Sequence, residues 1–103
     1  MRFLVIERVM MGASPSDQRE FMKSAGEDLN YKVKLEKKGK ITGGGPFLDV
    51  LGDCYILETE TLEEMGEILF NSPGNFGVER EVHPLGTFAD SLEGMEELGK
   101  KRK

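Results

Sequence analysis

The sequence predicts an α+β fold, a ferredoxin-like βαββαβ plait with a four-stranded antiparallel sheet and an extra C-terminal helix. The first observation is that residues 1–88 contain the same strand–helix–strand pattern twice. The second is that helices confined to one face leave an apolar sheet face, which a chain of 103 residues has to bury. A second copy is the usual partner. The sequence therefore predicts a homodimer and leaves higher oligomers open.

The first repeat consists of three elements with clear boundary signals. Arg2–Val9 is apolar on both sides at its start, as is typical of a central strand. Ser14 as N-cap and Pro15 behind it open a helix over residues 15–38. Residues 40–47 follow as the second strand, in which three glycines at 43–45 predict a bulge or a close approach of another backbone or a ligand. The inner face of the helix is predicted from its regularly spaced apolar residues, which are Phe21, Met22, Ala25, Leu29 and Val33.

The second repeat follows the same order. Residues 53–59 form a strand, and residues 62–71 form a helix that opens on a capping box between Thr61 and Glu64. Residues 78–88 form the fourth strand, which Pro84 confines to an edge or a bulge. The second helix is predicted to bury its apolar stripe, which is Leu62, Met65, Ile68 and Leu69.

Residues 89–103 are extra to the plait and form a tail outside the 1–88 domain. Asp90 or Ser91 is the predicted N-cap of a short amphipathic helix with Leu92, Met95 and Leu98 on one stripe. Such a helix covers its own sheet or reaches a partner subunit. We favour the partner, because the bare sheet face already requires one.

Composition excludes several classes of function. The formal charge of −5 argues against nucleic-acid binding, and no apolar run approaches the length of a membrane span. One Cys and one His cannot form a disulfide or a dedicated metal site, so we expect no metal, a reducing compartment and a cytoplasmic location. The lysines between residues 32 and 40 are interpreted as cations that complement a helix C-terminus, and the alternative is an anion-binding patch.

His83 is the first candidate for chemistry, because histidine is the side chain whose unperturbed pKa lies near neutrality. Near the end of the fourth strand it could abstract a proton alpha to a carbonyl or lactone, with Glu81 on the same face to orient it. The alternative is a histidine that caps the strand end beside Pro84.

Glu7 and Arg8 are the second candidates, because they end a strand that is predicted to be central, where an unpaired buried charge is costly. Glu7 could act as a desolvated base, and Arg8 could hold a substrate carboxylate. Arg80 and Glu81 are also candidate substrate-binding residues. The alternative for Glu7 and Arg8 is an ion pair at the strand end, or pairing with Arg80 or Glu58 on neighbouring strands.

The two tyrosines and Cys54 complete the candidates. Tyr55, in the third strand, could stabilise an enolate oxygen with its phenol, or it could simply pack in the core. The Tyr31 hydroxyl is predicted to reach solvent. Cys54 is interpreted as an inert thiol.

Motifs between residues 36 and 88 carry a family resemblance. They are Glu36-Lys37-Lys38-Gly39-Lys40, Gly45-Pro46, Gly52, Glu60-Thr61-Leu62-Glu63-Glu64, Asn71-Ser72-Pro73 and Val82-His83-Pro84-Leu85. In these the chain resembles the dimeric α+β barrel proteins, in particular muconolactone isomerases and the YCII-related family. The resemblance implies two subunits whose sheets form a barrel, a small cyclic or aromatic-derived organic acid as ligand, and no metal or organic cofactor.

The chain also departs from these families. YCII-related proteins usually carry a His in the first helix and an Asp-Pro pair after the second, whereas this chain has no His between residues 15 and 38 and has Ser72-Pro73. The His/Asp dyad is therefore not carried over. Related monooxygenases often use Trp, which this chain lacks.

The resulting hypothesis is an isomerase-like protein that transfers protons on a small organic acid without a cofactor. His83 or Glu7 would be the base, Arg8 the carboxylate anchor and Tyr55 the polarising group. The alternative is a non-catalytic ligand-binding or assembly module, and a third hypothesis is a cofactor-free monooxygenase.

Overall fold

The computed structural model describes residues 1–10, 15–74 and 77–101, and it contains a four-stranded antiparallel sheet with the strand order β2-β3-β1-β4. The elements are β1 (Arg2–Val9), α1 (Pro15–Lys37), β2 (Ile41–Pro46), β3 (Gly52–Glu58), α2 (Leu62–Phe70), β4 (Val78–Leu85) and α3 (Phe88–Lys101). Since β1 and β3 are central and each repeat contributes one helix, the predicted plait is confirmed.

The hydrophobic core lies between one face of the sheet and both α1 and α2. Side chains alternate along a strand, so the odd-numbered residues of β1 and β3 point toward the helices. Phe3, Val5 and Leu57 are fully buried there. Leu35 from α1 and Leu69 from α2 close the core over them. Both helices therefore cover the same sheet face, as the sequence predicts.

The predicted inner face of α1 is partly wrong. Phe21 and Ala25 are half-buried as expected, but Met22, Leu29 and Val33 are exposed. The C-terminal half of α1 instead places a mostly polar set of residues on its less exposed side: Asp28, Tyr31, Lys32 and Leu35. A prediction of the inner helix face from apolar residues alone does not detect a less exposed face that carries charges.

Two further features of the helices bear on the sequence predictions. The Tyr31 hydroxyl, which the sequence predicts to reach solvent, belongs to a half-buried residue and donates a hydrogen bond of 2.7 Å to the Ile68 carbonyl, which connects α1 to α2. Leu62 is exposed in the first turn of α2, while Met65 and Ile68 are half-buried and Leu69 is buried.

The helix caps agree with the sequence at α2 and differ at α3. Thr61 Oγ1 accepts from the Glu64 N–H at 3.1 Å, as the capping box predicts, although the Glu64 carboxylate accepts from Glu60 N–H. At α3, Thr87 Oγ1 accepts from the Asp90 N–H at 3.1 Å, so Thr87 is the N-cap and the helix begins earlier than predicted. The cap predicted at Ser14 lies outside the described residues.

The glycine-rich strand β2 contains the predicted irregularity. Its pairing with β3 shifts register between Ile41 and Gly43, and Gly44 has a φ of +96°. A Cβ at Gly44 would lie 2.2 Å from the Cys54 carbonyl oxygen. The close approach at Gly44 is therefore to the backbone of the neighbouring strand β3.

Gly44→Ala is expected to lower the free energy of unfolding by about 1–3 kcal/mol, because alanine is strained at this φ and collides with β3. Gly45→Ala is the matched control, since a Cβ there meets no described atom within 4 Å. Urea unfolding of the two variants and the wild type measures the difference. Equal midpoints for both variants would contradict the assignment.

Helix α3 extends away from the rest of the chain, and every residue in it is exposed. The overall dimensions are 65 × 28 × 23 Å, and Phe88 at the start of α3 is 97% exposed. The apolar stripe that the sequence predicts is present on this helix as Leu92, Met95 and Leu98. It has no cover within the described part of the chain.

Candidate functional site

A cavity of about 190 Å³ lies between α1 and the end of the sheet where β1 finishes and β3 and β4 begin. Its walls include Val9, Phe21 and Val78, and its charged residues come from α1, β1 and β3. A second cavity of about 220 Å³ runs along β2 and shares Lys32 and Asp53 with the first. Concave apolar sites with a few polar groups are typical of ligand pockets.

A row of charges crosses the sheet beneath α1. In the strand register Glu7 stands opposite Asp53 on β3 and opposite Arg80 on β4. All three side chains share the helix-covered face, because directly paired residues lie on the same side of a sheet. Lys32 reaches down to this row from α1, one turn after Asp28. We call these five residues the charged cluster.

Lys32 is the centre of the charged cluster. Its Nζ lies 2.8 Å from Glu7 Oε1, 2.6 Å from Asp28 Oδ2 and 2.6 Å from Asp53 Oδ2, and its side chain is only 12% exposed. Burial alone would lower the pKa of Lys32, but hydrogen bonds to the three carboxylates outweigh burial and raise that pKa. Lys32 is therefore a permanent ammonium, 5.2 Å from the centre of the Tyr55 ring.

Glu7 is held ionised by two cations. Its side chain is 5% exposed, and Arg80 donates to Glu7 Oε2 from Nε at 3.0 Å and from Nη2 at 2.6 Å. Burial would raise the pKa of Glu7, but the hydrogen bonds and charges of Lys32 and Arg80 hold it below its usual value. The predicted pairing of Glu7 with Arg80 is confirmed.

In contrast to Glu7, Asp53 has a pKa above its usual value. Burial, reinforced by the charge of Glu7 and a hydrogen bond with it, outweighs Lys32 and raises the pKa of Asp53 to about 6. Asp53 Oδ1 is buried and has no hydrogen-bond partner among the described residues when the group is ionised. Two neighbouring carboxyl groups with separated pKa values are an arrangement suited to acid–base chemistry near neutral pH.

The raised pKa of Asp53 predicts how the free energy of unfolding depends on pH. Because the pKa of Asp53 rises from 3.8 to about 6 on folding, its protonated form stabilises the folded chain below pH 4. That stabilisation is lost as the pH rises through 6. The free energy of unfolding from urea titrations should therefore contain a component that falls between these pH values in the wild type and is missing in Asp53→Asn. Glu7, whose pKa is lowered, acts in the opposite sense below 4.5.

Asp49→Asn is the control for this prediction, because Asp49 carries the same charge on an exposed side chain. The control should keep the wild-type slope. An Asp53→Asn slope equal to that of the control would show that Asp53 titrates normally.

Tyr55 adds a neutral phenol to the same face. It is 5% exposed, and burial together with the charge of Glu7 raises its pKa, so the hydroxyl keeps its proton. Hydrogen bonding with Glu7 contributes to this shift. Tyr55 lines the second cavity, where its ring packs beside Lys32.

Ser72 connects the loop after α2 to the charged cluster. It is buried, and its Oγ donates a hydrogen bond of 2.6 Å to Asp28 Oδ1. Asp28 in turn contacts Lys32, so the loop helps to position the ammonium.

The six residues predicted for the site divide into two groups. Glu7, Tyr55 and Arg80 lie on the helix-covered face and belong together. Arg8, Glu81 and His83 lie on the opposite, uncovered face, because successive residues of a strand point to opposite sides. There, Glu81 contacts Arg8 Nη1 at 3.1 Å and His83 Nε2 at 3.3 Å, and all three are exposed.

Sequence reasoning missed Asp28, Lys32 and Asp53. One signal was present, because Asp28 and Lys32 are four residues apart and therefore neighbours on one helix face. The sequence pattern instead groups Lys32 with the lysines that follow it and places Asp53 at the start of a strand.

The described residues contain neither a metal-binding cluster nor a membrane-spanning helix. Residues 1–10, 15–74 and 77–101 contain no group of three or more His, Cys, Asp or Glu placed to hold a metal ion. Within the same residues no helix is both long and apolar enough to cross a membrane.

The sheet order β2-β3-β1-β4, with α1 and α2 on one face, defines a ferredoxin-like α+β fold. Comparison with solved structures agrees. Muconolactone isomerase superposes with a TM-score of 0.73 and 15% identity, over 84% of this chain and 90% of that one. The 5-chloro-2-hydroxyhydroquinone dehydrochlorinase of Burkholderia phenoliruptrix AC1100, in complex with 2,5-dihydroxybenzoquinone, superposes with a TM-score of 0.63 and 23% identity, over 87% and 98%.

The α+β barrel resemblance drawn from the sequence is thus confirmed as a likeness of fold. No family model and no curated protein sequence matches the chain. The YCII-related part of the resemblance stays a prediction.

Proposed function

We propose that this chain catalyses proton transfer on a small cyclic compound without a cofactor, in the cavity beneath α1. The observation that carries the proposal is the pair Glu7 and Asp53 at the cavity, one carboxyl ionised and the other with a pKa of about 6. A base that titrates near the working pH is the most effective general catalyst. The solved structures of this fold named for an isomerase and a dehydrochlorinase make small-molecule chemistry a reasonable class.

The roles follow from the contacts. Ionised Asp53 would accept a proton from a carbon next to a carbonyl group and later return it. Lys32, 2.6 Å from Asp53, would face the negative charge that moves onto the substrate as Asp53 becomes neutral. Because the total charge around Lys32 is unchanged in this step, the site needs little reorganisation. Glu7 and Tyr55 would position the Lys32 ammonium, and the charge of Glu7 would keep the pKa of Asp53 raised.

Hydrogen exchange with solvent tests the proposal without knowledge of the natural substrate. The protein is incubated in D₂O with 2(5H)-furanone, cyclohex-2-enone or cyclohexane-1,2-dione, and NMR follows the loss of protons next to the carbonyl. Wild-type protein should accelerate exchange of at least one probe well above buffer, and His83→Ala should match it. No acceleration with any probe would refute the proposal, and loss in His83→Ala alone would move the chemistry to the opposite sheet face.

The uncovered surfaces favour a second proposal, which concerns assembly. Leu4, Ile6 and Ile56 lie on the sheet face without helices, and α3 presents an apolar stripe against which no described residue packs. We propose that a second copy covers both, with α3 packing on the partner subunit. The lone Cys54 fits a reducing, cytoplasmic setting for such a dimer.

The double variant Leu92→Ser, Leu98→Ser is expected to weaken dimerisation at least about tenfold, since each buried leucine contributes roughly 1.5–3 kcal/mol. The control is Glu93→Ser, Glu97→Ser, which makes the same residue type on the opposite side of α3. Sedimentation velocity over a concentration series gives the dissociation constants. Wild-type protein that stays monomeric at micromolar concentration would contradict the dimer.

A further inference from the structure

The charged side chains that line the two cavities are predominantly acidic. Around the first cavity, Glu7, Asp28 and Asp53 stand against the single cation Lys32, counted over the described residues. Around the second cavity, Glu36 and Asp53 stand against the same Lys32. Above pH 6 both cavities therefore have an excess of negative charge, and a bound anion would meet repulsion from the walls.

The cations at and beside the two cavities, Lys32 and Arg80, already form ion pairs with carboxylates of the chain. Lys32 has three carboxylates within 2.8 Å, so a ligand carboxylate would have to displace one of them and leave it buried without compensation. Arg80 holds Glu7 through two hydrogen bonds and is not among the residues of either cavity wall. Arg8, the predicted carboxylate anchor, lies on the other face of the sheet.

We propose that this site selects uncharged ring compounds that carry hydroxyl or carbonyl groups, and that it discriminates against the corresponding carboxylates. The inference rests on the proposed function and names its substrate class. The size fits, because an apolar cavity of about 150 Å³ accommodates benzene and the cavities here measure about 190 and 220 Å³. Hydroxyl groups would donate to Asp28 or Asp53, and the ring would contact the apolar wall, which is Val9, Phe21, Val50, Leu51 and Val78.

Matched pairs of ligands that differ only in charge test this selection. The pairs are 4-hydroxybenzamide and 4-hydroxybenzoate, 2-furamide and 2-furoate, and cyclohexanecarboxamide and cyclohexanecarboxylate. Titration calorimetry at about pH 7.5 keeps the acids ionised. Within any pair that binds, the amide should bind at least about tenfold more tightly than the acid. An acid that binds as tightly as its amide overturns the selection and leaves the proposed function standing.

Single-charge variants locate the effect. Asp53→Asn should bring the amide-to-acid affinity ratio at least about tenfold closer to one, because it removes a negative charge from both cavities. Glu36→Gln, at an exposed position, should change the ratio only for a ligand in the second cavity. Asp49→Asn is the control and should leave the ratio unchanged. If neither Asp53→Asn nor Glu36→Gln alters the ratio, the electrostatic explanation is overturned. If none of the probes binds, the proposed function is overturned together with this inference.

Discussion

Lys32→Met is expected to lower the free energy of unfolding at neutral pH by about 3–5 kcal/mol, the usual effect of removing one partner from a buried ion pair. Methionine keeps the helix propensity and most of the volume of lysine, so the loss comes from charge rather than from packing. Without the ammonium, Glu7, Asp28 and Asp53 would face one another with only Arg80 to offset them. Urea unfolding followed by circular dichroism measures the loss.

A reversed pH dependence distinguishes this explanation from a simple packing defect. In Lys32→Met we expect removal of the ammonium to raise the pKa values of the carboxyl groups that face it, so that their protonation stabilises the fold and much of the lost stability returns below pH 5. A packing defect would be equally large at all pH values. Lys34→Met, on the exposed side of the same helix, should unfold close to the wild type. A loss no greater than that of Lys34→Met would show that the charged cluster contributes little.

The fold could be predicted from the sequence because every element carries its own local signal. Alternation along Arg2–Val9 and Val78–Leu85 assigned each residue to a sheet face, and the pairing of these two strands agrees with that assignment. Thr61 marked the start of α2 by its side-chain hydrogen bond, which depends on residues three positions away. Such short-range rules need no knowledge of the rest of the chain.

The candidate site could be predicted only in part, because its contacts join distant positions. The sequence predicts that Glu7 is a charge on a central strand and gives Arg80 as one of two possible partners. Lys32 and Asp53, however, are 21 residues apart, and Glu7 and Arg80 are 73 apart. Their meeting depends on the strand register and on how far α1 rotates over the sheet.

The rotation of α1 shows why the apolar pattern failed there. A helix usually turns its apolar stripe to the core, which predicts that Leu29 and Val33 point inward. The structure instead turns Asp28 and Lys32 toward the sheet, because the Lys32 ammonium forms ion pairs there with the buried carboxylates of Glu7 and Asp53. Departures of this kind from a local rule are expected at functional sites.

Asp53→Asn is expected to abolish most of the proton-transfer activity, with a loss of about 10²–10⁴-fold in kcat/KM for whichever probe the wild type exchanges. Asparagine still offers an oxygen to Lys32 but cannot accept a proton from carbon. In the wild type, kcat/KM should rise with pH as Asp53 ionises near pH 6, and this limb should be missing from the residual activity of the variant. Asp49→Asn should keep both the rate and the limb.

The pH profile separates catalysis by Asp53 from a merely structural role. If Asp53 only supported Lys32, the variant would lose activity by the same factor at every pH, and the wild-type limb near pH 6 would persist. A base at His83 would instead keep its activity in Asp53→Asn and lose it in His83→Ala. Because these two residues lie on opposite faces of the sheet, the two variants together assign the reaction to one face.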